Sequence, residues 1–138
     1  VDRYGLRGCG GAYFSDRIAW ILQIGGAVGR CPGDPLWVWR IIFYGTTENK
    51  QQNEYLAKTI QTSLQMLDKE NKRLPKIITG KYVLDNTTKI GCLVEIGFLT
   101  NEIDLQKLTD DTYLEKMAFQ IYLGILNYIE ESRQIWMN

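Results

Sequence analysis

The sequence contains no histidine among its 138 residues. Histidine is the commonest general base and the commonest protein ligand of zinc, so its absence removes the usual way of building either kind of site. Cysteines are few, three in all, and include no C-x-x-C pair. Cys9, Cys31 and Cys92 therefore predict neither a disulfide framework nor a well-spaced metal site, and Cys92 fits better as a small buried apolar residue.

An excess of either charge is also missing, because sixteen basic residues face sixteen acidic ones. This balance argues against nucleic acid or an anionic membrane as a partner. No apolar run is long enough to span a bilayer, and residues 1–11 do not have the pattern of a signal peptide. The length fits one domain with a substantial core.

Composition changes abruptly near residue 40. Residues 1–40 hold eight of the thirteen glycines and no lysine, whereas residues 41–138 hold nine lysines. We interpret residues 1–40 as an atypical arm with one apolar run, 18–24, that forms a short helix or strand. The alternative is that this arm is not native, for instance a stretch read in the wrong frame. Residues 41–138 form the second unit.

From residue 38 onward, apolar spacing and turn residues predict a regular order of elements. The first helix is predicted from Leu56, Ile60, Leu64 and Leu67, which recur at helical spacing, with Thr46 or Thr47 as N-cap. A second, short helix follows Thr100 or Asn101 as N-cap. The last helix is predicted from a Thr112–Glu115 capping box and from an apolar face that consists of Leu114, Ala118, Ile121, Ile125 and Ile129. The strands are expected at 38–45, 81–85 and 92–98, with a polar loop between the first helix and the second strand. This order predicts an α/β fold with helices packed on a sheet.

Glu95 is the most unusual polar residue, because it lies inside the apolar stretch G-C-L-V-E-I-G-F, residues 91–98. A carboxylate in such surroundings needs a partner, water or a functional role. Strand alternation places it on the face of Leu93 and Gly97, near a carboxyl end where sites gather in open α/β sheets. Either it is a general acid or base with a raised pKa, or it is a strand-end glutamate paired with a lysine or a backbone amide.

Other candidates have simpler interpretations. Asn101 fits a helix cap and Arg73 fits a solvated loop. The stretch G-L-R-G-C-G-G lacks the G-K-[ST] ending of a phosphate loop. A further group consists of aromatic residues that fit sheet packing better than a stacking platform: Trp37, Trp39, Phe43 and Tyr44.

The stretch L-V-E-I-G-F-L-T-N, residues 93–101, resembles the zinc-dependent N-acetylmuramoyl-L-alanine amidases of the amidase-3 family, in particular the spore cortex and germination subgroup. The helix Y-L-E-K-M-A-F-Q-I-Y-L-G-I-L-N-Y-I, residues 113–129, matches the family's last helix in register. Upstream, I-I-F-Y-G resembles a family strand, so the resemblance covers about residues 41–131. It implies a three-layer sandwich with helices on a central mixed sheet, incomplete at the N-terminus of this chain.

The resemblance also implies an activity. In that family, zinc is held by two histidines and a glutamate of the N-terminal part, and the glutamate of the L-V-E strand acts as general base and then protonates the leaving amine. That role falls on Glu95. None of the metal ligands carries over, because residues 1–40 contain neither histidine nor glutamate. We therefore expect a partial or inactivated amidase domain that is inactive as it stands.

Two hypotheses follow. The chain is the C-terminal part of an enzyme that cleaves the amide between muramic acid and L-alanine, or it is a degenerate domain that binds peptidoglycan or a partner protein without zinc. Thiolate ligands in place of the family's are not supported by the cysteine spacing. The resemblance implies a cell-envelope or extracellular location, peptidoglycan as partner and an activating protein of unknown identity. We also expect the strand at 38–44 to be an exposed edge that makes the chain marginally stable.

Overall fold

The computed structural model describes residues 21–23, 41–97 and 101–136. The elements in these ranges are, in chain order, β1 (Ile21–Gln23), β2 (Ile41–Tyr44), α1 (Lys50–Leu64), β3 (Lys76–Ile77), α2 (Tyr82–Asp85), β4 (Leu93–Glu95), α3 (Glu102–Leu108) and α4 (Asp111–Trp136). The predicted α/β architecture is confirmed. The short element expected within 18–24 is a strand, β1.

Within these ranges, four strands form one mixed sheet in the order β1-β4-β2-β3. Strand β4 is parallel to β1 and antiparallel to β2, and β2 is parallel to β3. The expectation that the strand at 38–44 is an exposed edge is therefore wrong for Phe43 and Tyr44, which pair with β3. Strand β2 has a neighbour on both sides, so expected instability cannot be based on an open edge there.

The core lies where α1 packs on one face of the sheet. Leu56, Ile60 and Leu64 recur at four-residue spacing on α1, and each is fully buried. Val94 on β4 and Ile42 on β2 face them from the sheet, each 1% exposed. The helical and strand periodicities meet at this layer, which is why the sequence pattern specified it well.

Helix α4 packs on α1 through a close approach of backbone to backbone. A Cβ on Gly124 would lie 2.6 Å from the Cα of Ile60, so glycine is required there by space. The rings of Tyr55 and Tyr128 meet at 5.8 Å between centroids, and the hydroxyl of Tyr55 donates to the carboxylate of Glu131. Together these contacts fasten the terminal helix along α1.

The predicted helix caps are partly wrong. Helix α1 begins at Lys50 after Asn49, and the Thr47 hydroxyl accepts a hydrogen bond from the Asn53 side chain, 3.2 Å away, instead of capping. Helix α4 begins before Thr112, where the carboxylate of Asp110 accepts from the backbone N–H of Thr112 at 2.9 Å. At α1 the Thr47 hydroxyl is engaged by Asn53 and the N-cap Asn49 makes no side-chain cap bond, whereas at α4 Asp110 takes the capping role predicted for Thr112.

The predicted apolar face of α4 is confirmed at four of its five positions. Ile121 is buried, and Leu114, Ile125 and Ile129 are partly buried against the core, whereas Ala118 is exposed. The buried face also includes Met117 and Tyr128, 1% and 4% exposed, and Gly124, which carries no hydrophobic signal of its own.

The predicted strand at 81–85 is wrong, since residues 82–85 form the short helix α2. Gly80 precedes it with φ 78°, and the backbone oxygen and Cβ of Leu84 would meet a Cβ on Gly45 at 2.7 and 3.1 Å. The third sequential strand is instead β3, inside the predicted loop, where the N–H of Ile78 bonds to the Tyr44 carbonyl at 3.0 Å. A two-residue strand with exposed side chains has no alternation to detect.

Candidate active site

Glu95 is the last residue of β4, and it lies between two neighbouring strands. It is in register with Gln23 of β1 and with Ile41 of β2. The preceding residue, Val94, points into the core, so strand alternation turns Glu95 to the face opposite α1. The side chain is half-buried. A carboxylate at a strand terminus with one side open to solvent can exchange protons with a bound molecule.

Burial raises the pKa of the Glu95 carboxyl above its ordinary value of 4.5. The positive charge of Lys81, the residue before α2, acts in the opposite direction but is the smaller effect. A glutamate with a raised pKa holds its proton closer to neutral pH, which suits a group that must accept and then return one.

The start of β4 is fixed by a buried asparagine. Asn53 on α1 is 1% exposed, and its side-chain oxygen accepts the N–H of Gly91 at 2.9 Å. Its amide nitrogen donates to Thr47, and Asn49 one turn earlier donates to the carbonyl of Thr88 at 3.0 Å. Helix α1 thus holds the loop that feeds β4. The helical period that identified Leu56 also places Asn53 on the buried face, a signal that sequence analysis passed over.

The end of β4 is covered by α3. Asn101 caps this helix, since its side-chain oxygen accepts the N–H groups of Ile103 and Asp104, both at 3.0 Å. The cap predicted from sequence is confirmed. Asp104, which sequence analysis missed, is 4% exposed and packs against Gly97.

The other candidate residues from the sequence have structural roles or lie outside the described residues. Cys92 is buried, and burial raises the pKa of its thiol to about 12, so it is the small buried apolar residue expected and a poor source of thiolate. Arg73 lies in the loop after α1 and is partly buried. Tyr44 is buried in the core and Phe43 is half-buried, consistent with sheet packing. Several candidates lie outside the described residues: Cys9, Cys31, Trp37, Trp39 and the glycine-rich stretch 5–11.

The donor set does not fit the three-ligand zinc site of the amidases that the sequence resembles. No group of three or more His, Cys, Asp or Glu side chains comes together in the part of the chain that the structure describes. Histidine is missing from the whole sequence, so the imidazole ligands typical of catalytic zinc cannot come from this chain. The chemistry that Glu95 itself can supply is proton transfer, as an acid or a base.

Most of the described residues lie within a match to a known protein family. Residues 40–127, which include β2, α1, β4, α3 and most of α4, match the family described as N-acetylmuramoyl-L-alanine amidase. The chain belongs to this amidase family. The resemblance drawn from the sequence is confirmed, including its direction towards germination amidases.

Individual relatives agree with this assignment. The germination-specific N-acetylmuramoyl-L-alanine amidase of Bacillus subtilis is 41% identical over 80 residues, 58% of this chain and 34% of its own length. A putative N-acetylmuramoyl-L-alanine amidase of Buchnera aphidicola is 35% identical over 80 residues, covering 58% of this chain and 33% of the relative. The chain therefore spans about a third of the length of these curated relatives.

Solved structures show the same fold. The CwlD amidase of Clostridioides difficile, determined in complex with the GerS lipoprotein, superposes with a TM-score of 0.66 at 32% identity, covering 82% of this chain and 53% of that one. The amidase AmiC2 of Nostoc punctiforme superposes with a TM-score of 0.61 at 20% identity, covering 82% of this chain and 57% of that one, and supports the fold alone.

Proposed function

We propose that residues 41–138 are the C-terminal part of an N-acetylmuramoyl-L-alanine amidase catalytic domain, with Glu95 as its catalytic carboxylate. Residues 1–40 are proposed to be an atypical arm joined to it. The observation that carries the proposal is Glu95 itself, a half-buried carboxylate with a raised pKa at the end of β4, inside the residues that match the family.

The chemistry asked of Glu95 is two proton transfers. As a carboxylate it takes a proton from the water whose oxygen attacks the carbonyl carbon of the lactyl–L-alanine amide. As a carboxylic acid it then gives that proton to the alanine nitrogen as the carbon–nitrogen bond breaks, releasing a free carboxyl group and a free amine. A raised pKa makes the carboxylate a stronger base for the first step, and the same carboxyl group then acts as the acid in the second.

The metal of the family is not supplied by residues described here. We infer that a complete enzyme requires metal ligands encoded upstream of Val1 or in a different reading frame of the DNA that encodes residues 1–40. The direct test is to sequence the DNA from upstream of Val1 through the codon of Gly45 and to translate all three frames. Histidine motifs and a helix glutamate in another frame are expected. An arm that is genuine in frame, with no such ligands upstream, would exclude the family mechanism.

A second candidate function is peptidoglycan binding without hydrolysis. The observation that favours it is the histidine-free sequence, which retains the family's core and the Glu95 strand. This candidate predicts muropeptide binding by isothermal titration calorimetry with no bound metal. Glu95→Ala should then leave the dissociation constant nearly unchanged, and a large loss of binding would count against it.

Location and partners follow from the relatives as proposals. Cell-wall amidases act on peptidoglycan, so the natural place for this domain is the cell envelope or the extracellular side. The CwlD structure contains the GerS lipoprotein, and an activating protein partner is proposed for this chain by analogy. None of the helices in the described ranges combines the length and apolarity needed to cross a membrane.

A further inference from the structure

The backbone at Gly97 packs closely against α3. Gly97 comes two residues after Glu95 and is buried. A Cβ built on it would lie 3.1 Å from Cδ1 of Leu108 and 3.3 Å from Cγ of Asp104, both on α3. The backbone at the exit of β4 therefore rests directly on this helix, and its path depends on the side chains there.

Asp104 contacts both Gly97 and Asn101. Its side chain packs on Gly97, and its backbone N–H donates to the side-chain oxygen of Asn101 at 3.0 Å. Residues 97 and 101 are thus held by one residue. Asp104 and Leu108 are four positions apart on α3, so both project from the same face onto Gly97.

A carboxylate at this place needs a reason. Asp104 is 4% exposed, and packing on a glycine could be supplied by an apolar side chain without the cost of burying a charge. Apolar side chains of similar size, however, lack polar atoms that hold a buried position by directional bonds. A buried polar residue therefore fits a need for one defined position more than a need for stability.

From this geometry we propose that Asp104 is a positioning residue for Glu95: by joining Gly97 to the Asn101 cap, it sets the direction in which β4 ends and with it the orientation of the Glu95 carboxylate. The inference rests on the proposed function only in that Glu95 is the catalytic group. The physical claim, that Asp104 controls the surroundings of Glu95, can be tested without activity.

The test is an NMR titration of the Glu95 carboxyl carbon in the full 138-residue chain. Asp104→Ala should let the end of β4 take up water, because the contact on Gly97 is lost. We expect the pKa of Glu95 to fall towards its ordinary value. Asp104→Asn keeps the shape and the polar atoms, so it should retain most of the raised pKa.

Matched controls separate positioning from charge and from general destabilisation. Glu102→Ala removes an exposed negative charge from the same helix and should leave the pKa of Glu95 unchanged. Lys81, whose positive charge lowers the pKa of Glu95, is unaltered in all of these variants. Asn101→Ala removes the cap and should lower the pKa in the same direction as Asp104→Ala, which keeps the test open if Asp104→Ala fails to fold.

An unchanged Glu95 pKa in Asp104→Ala, or in Asn101→Ala where the first variant does not fold, would overturn the proposal. So would an equal fall in Glu102→Ala. The catalytic role of Glu95 is tested by a separate variant. Asp104→Ala can shift the pKa of Glu95 while Glu95→Gln leaves full activity in an enzyme that also contains the metal-ligating N-terminal part of the domain. In that case Asp104 positions Glu95, but Glu95 is not the catalytic group.

Discussion

The carboxyl group of Glu95 should leave a signature in the stability of the protein against pH. Because its pKa is raised in the folded state from 4.5, the folded protein holds this proton to higher pH than the unfolded chain does. The free energy of unfolding therefore falls as pH rises from the unfolded value through the folded one.

Glu95→Gln removes this loss, since the amide cannot ionise. We expect the variant to be more stable than the wild type at pH 7, by less than about 1 kcal/mol because part of the group faces solvent. The two proteins should become equal below about pH 4. Urea denaturation at both pH values measures the difference, and Glu102→Gln on the surface is the control. Equal stability of the two proteins at pH 7 would contradict a raised pKa of Glu95 in the folded state.

Asn53 should matter for stability far more than its neighbour Asn49. Asn53→Ala leaves the buried N–H of Gly91 without its partner, a loss we place at about 2–3 kcal/mol. Asn49→Ala removes an exposed bond to Thr88 and should cost about 0.5 kcal/mol or less. Chemical denaturation of both variants gives the comparison. Similar costs would mean that the loop before β4 does not depend on the buried bond.

At the scale of elements, the seam between α1 and α4 gives a prediction that reverses the usual preference of helices. Alanine is about 1 kcal/mol better than glycine in a helix interior. Gly124→Ala should nevertheless destabilise by about 3 kcal/mol, because the new methyl group would meet the backbone of Ile60 at 2.6 Å.

Thermal unfolding of Gly124→Ala, with exposed Asn127→Ala on the same helix as control, tests this seam. A stabilised Gly124→Ala would show that the two helices can separate at little cost. Gly124 lies within residues 113–129, which match the family's last helix, and its close contact with Ile60 gives a physical reason for a glycine at this position.

Elements with strong periodicity were predictable from the sequence and the others were not. Helix α1 buries one face, so its spacing of apolar residues is visible, and β4 is a short apolar run in which Leu93 and Val94 are buried on opposite faces. Strand β3 and helix α2 are short and expose most side chains, so their form is decided by contacts such as that of Leu84 with Gly45. For the site, a lone carboxylate in an apolar strand marked Glu95. Nothing local marked Asp104, because its role depends on α3 folding back onto Gly97.

At the scale of the whole molecule, the proposed function predicts that a foreign N-terminal half can complete the domain. The chimera joins the corresponding N-terminal segment of the Bacillus subtilis germination amidase, a 41% identical relative, to residues 41–138. We expect this chimera to release amine from muropeptides. Glu95→Gln in it should lower the rate by about 10²-fold or more, as the loss of a general base does.

Glu102→Gln in the same chimera serves as the matched control, because it alters an exposed glutamate seven residues further along the chain. Its rate should equal that of the parent chimera. A folded chimera without activity would favour the binding function. An active chimera whose rate is unchanged by Glu95→Gln would show that another group is the general base.

The central place of β4 in the sheet has a consequence for how the chain folds. Its partners β1 and β2 precede it by about seventy and fifty residues, so the sheet depends on contacts between distant parts of the sequence. During synthesis these strands emerge long before β4 and cannot pair with it until residues 93–95 leave the ribosome. Closure of the sheet should therefore be a slow, late step of folding that follows the formation of α1.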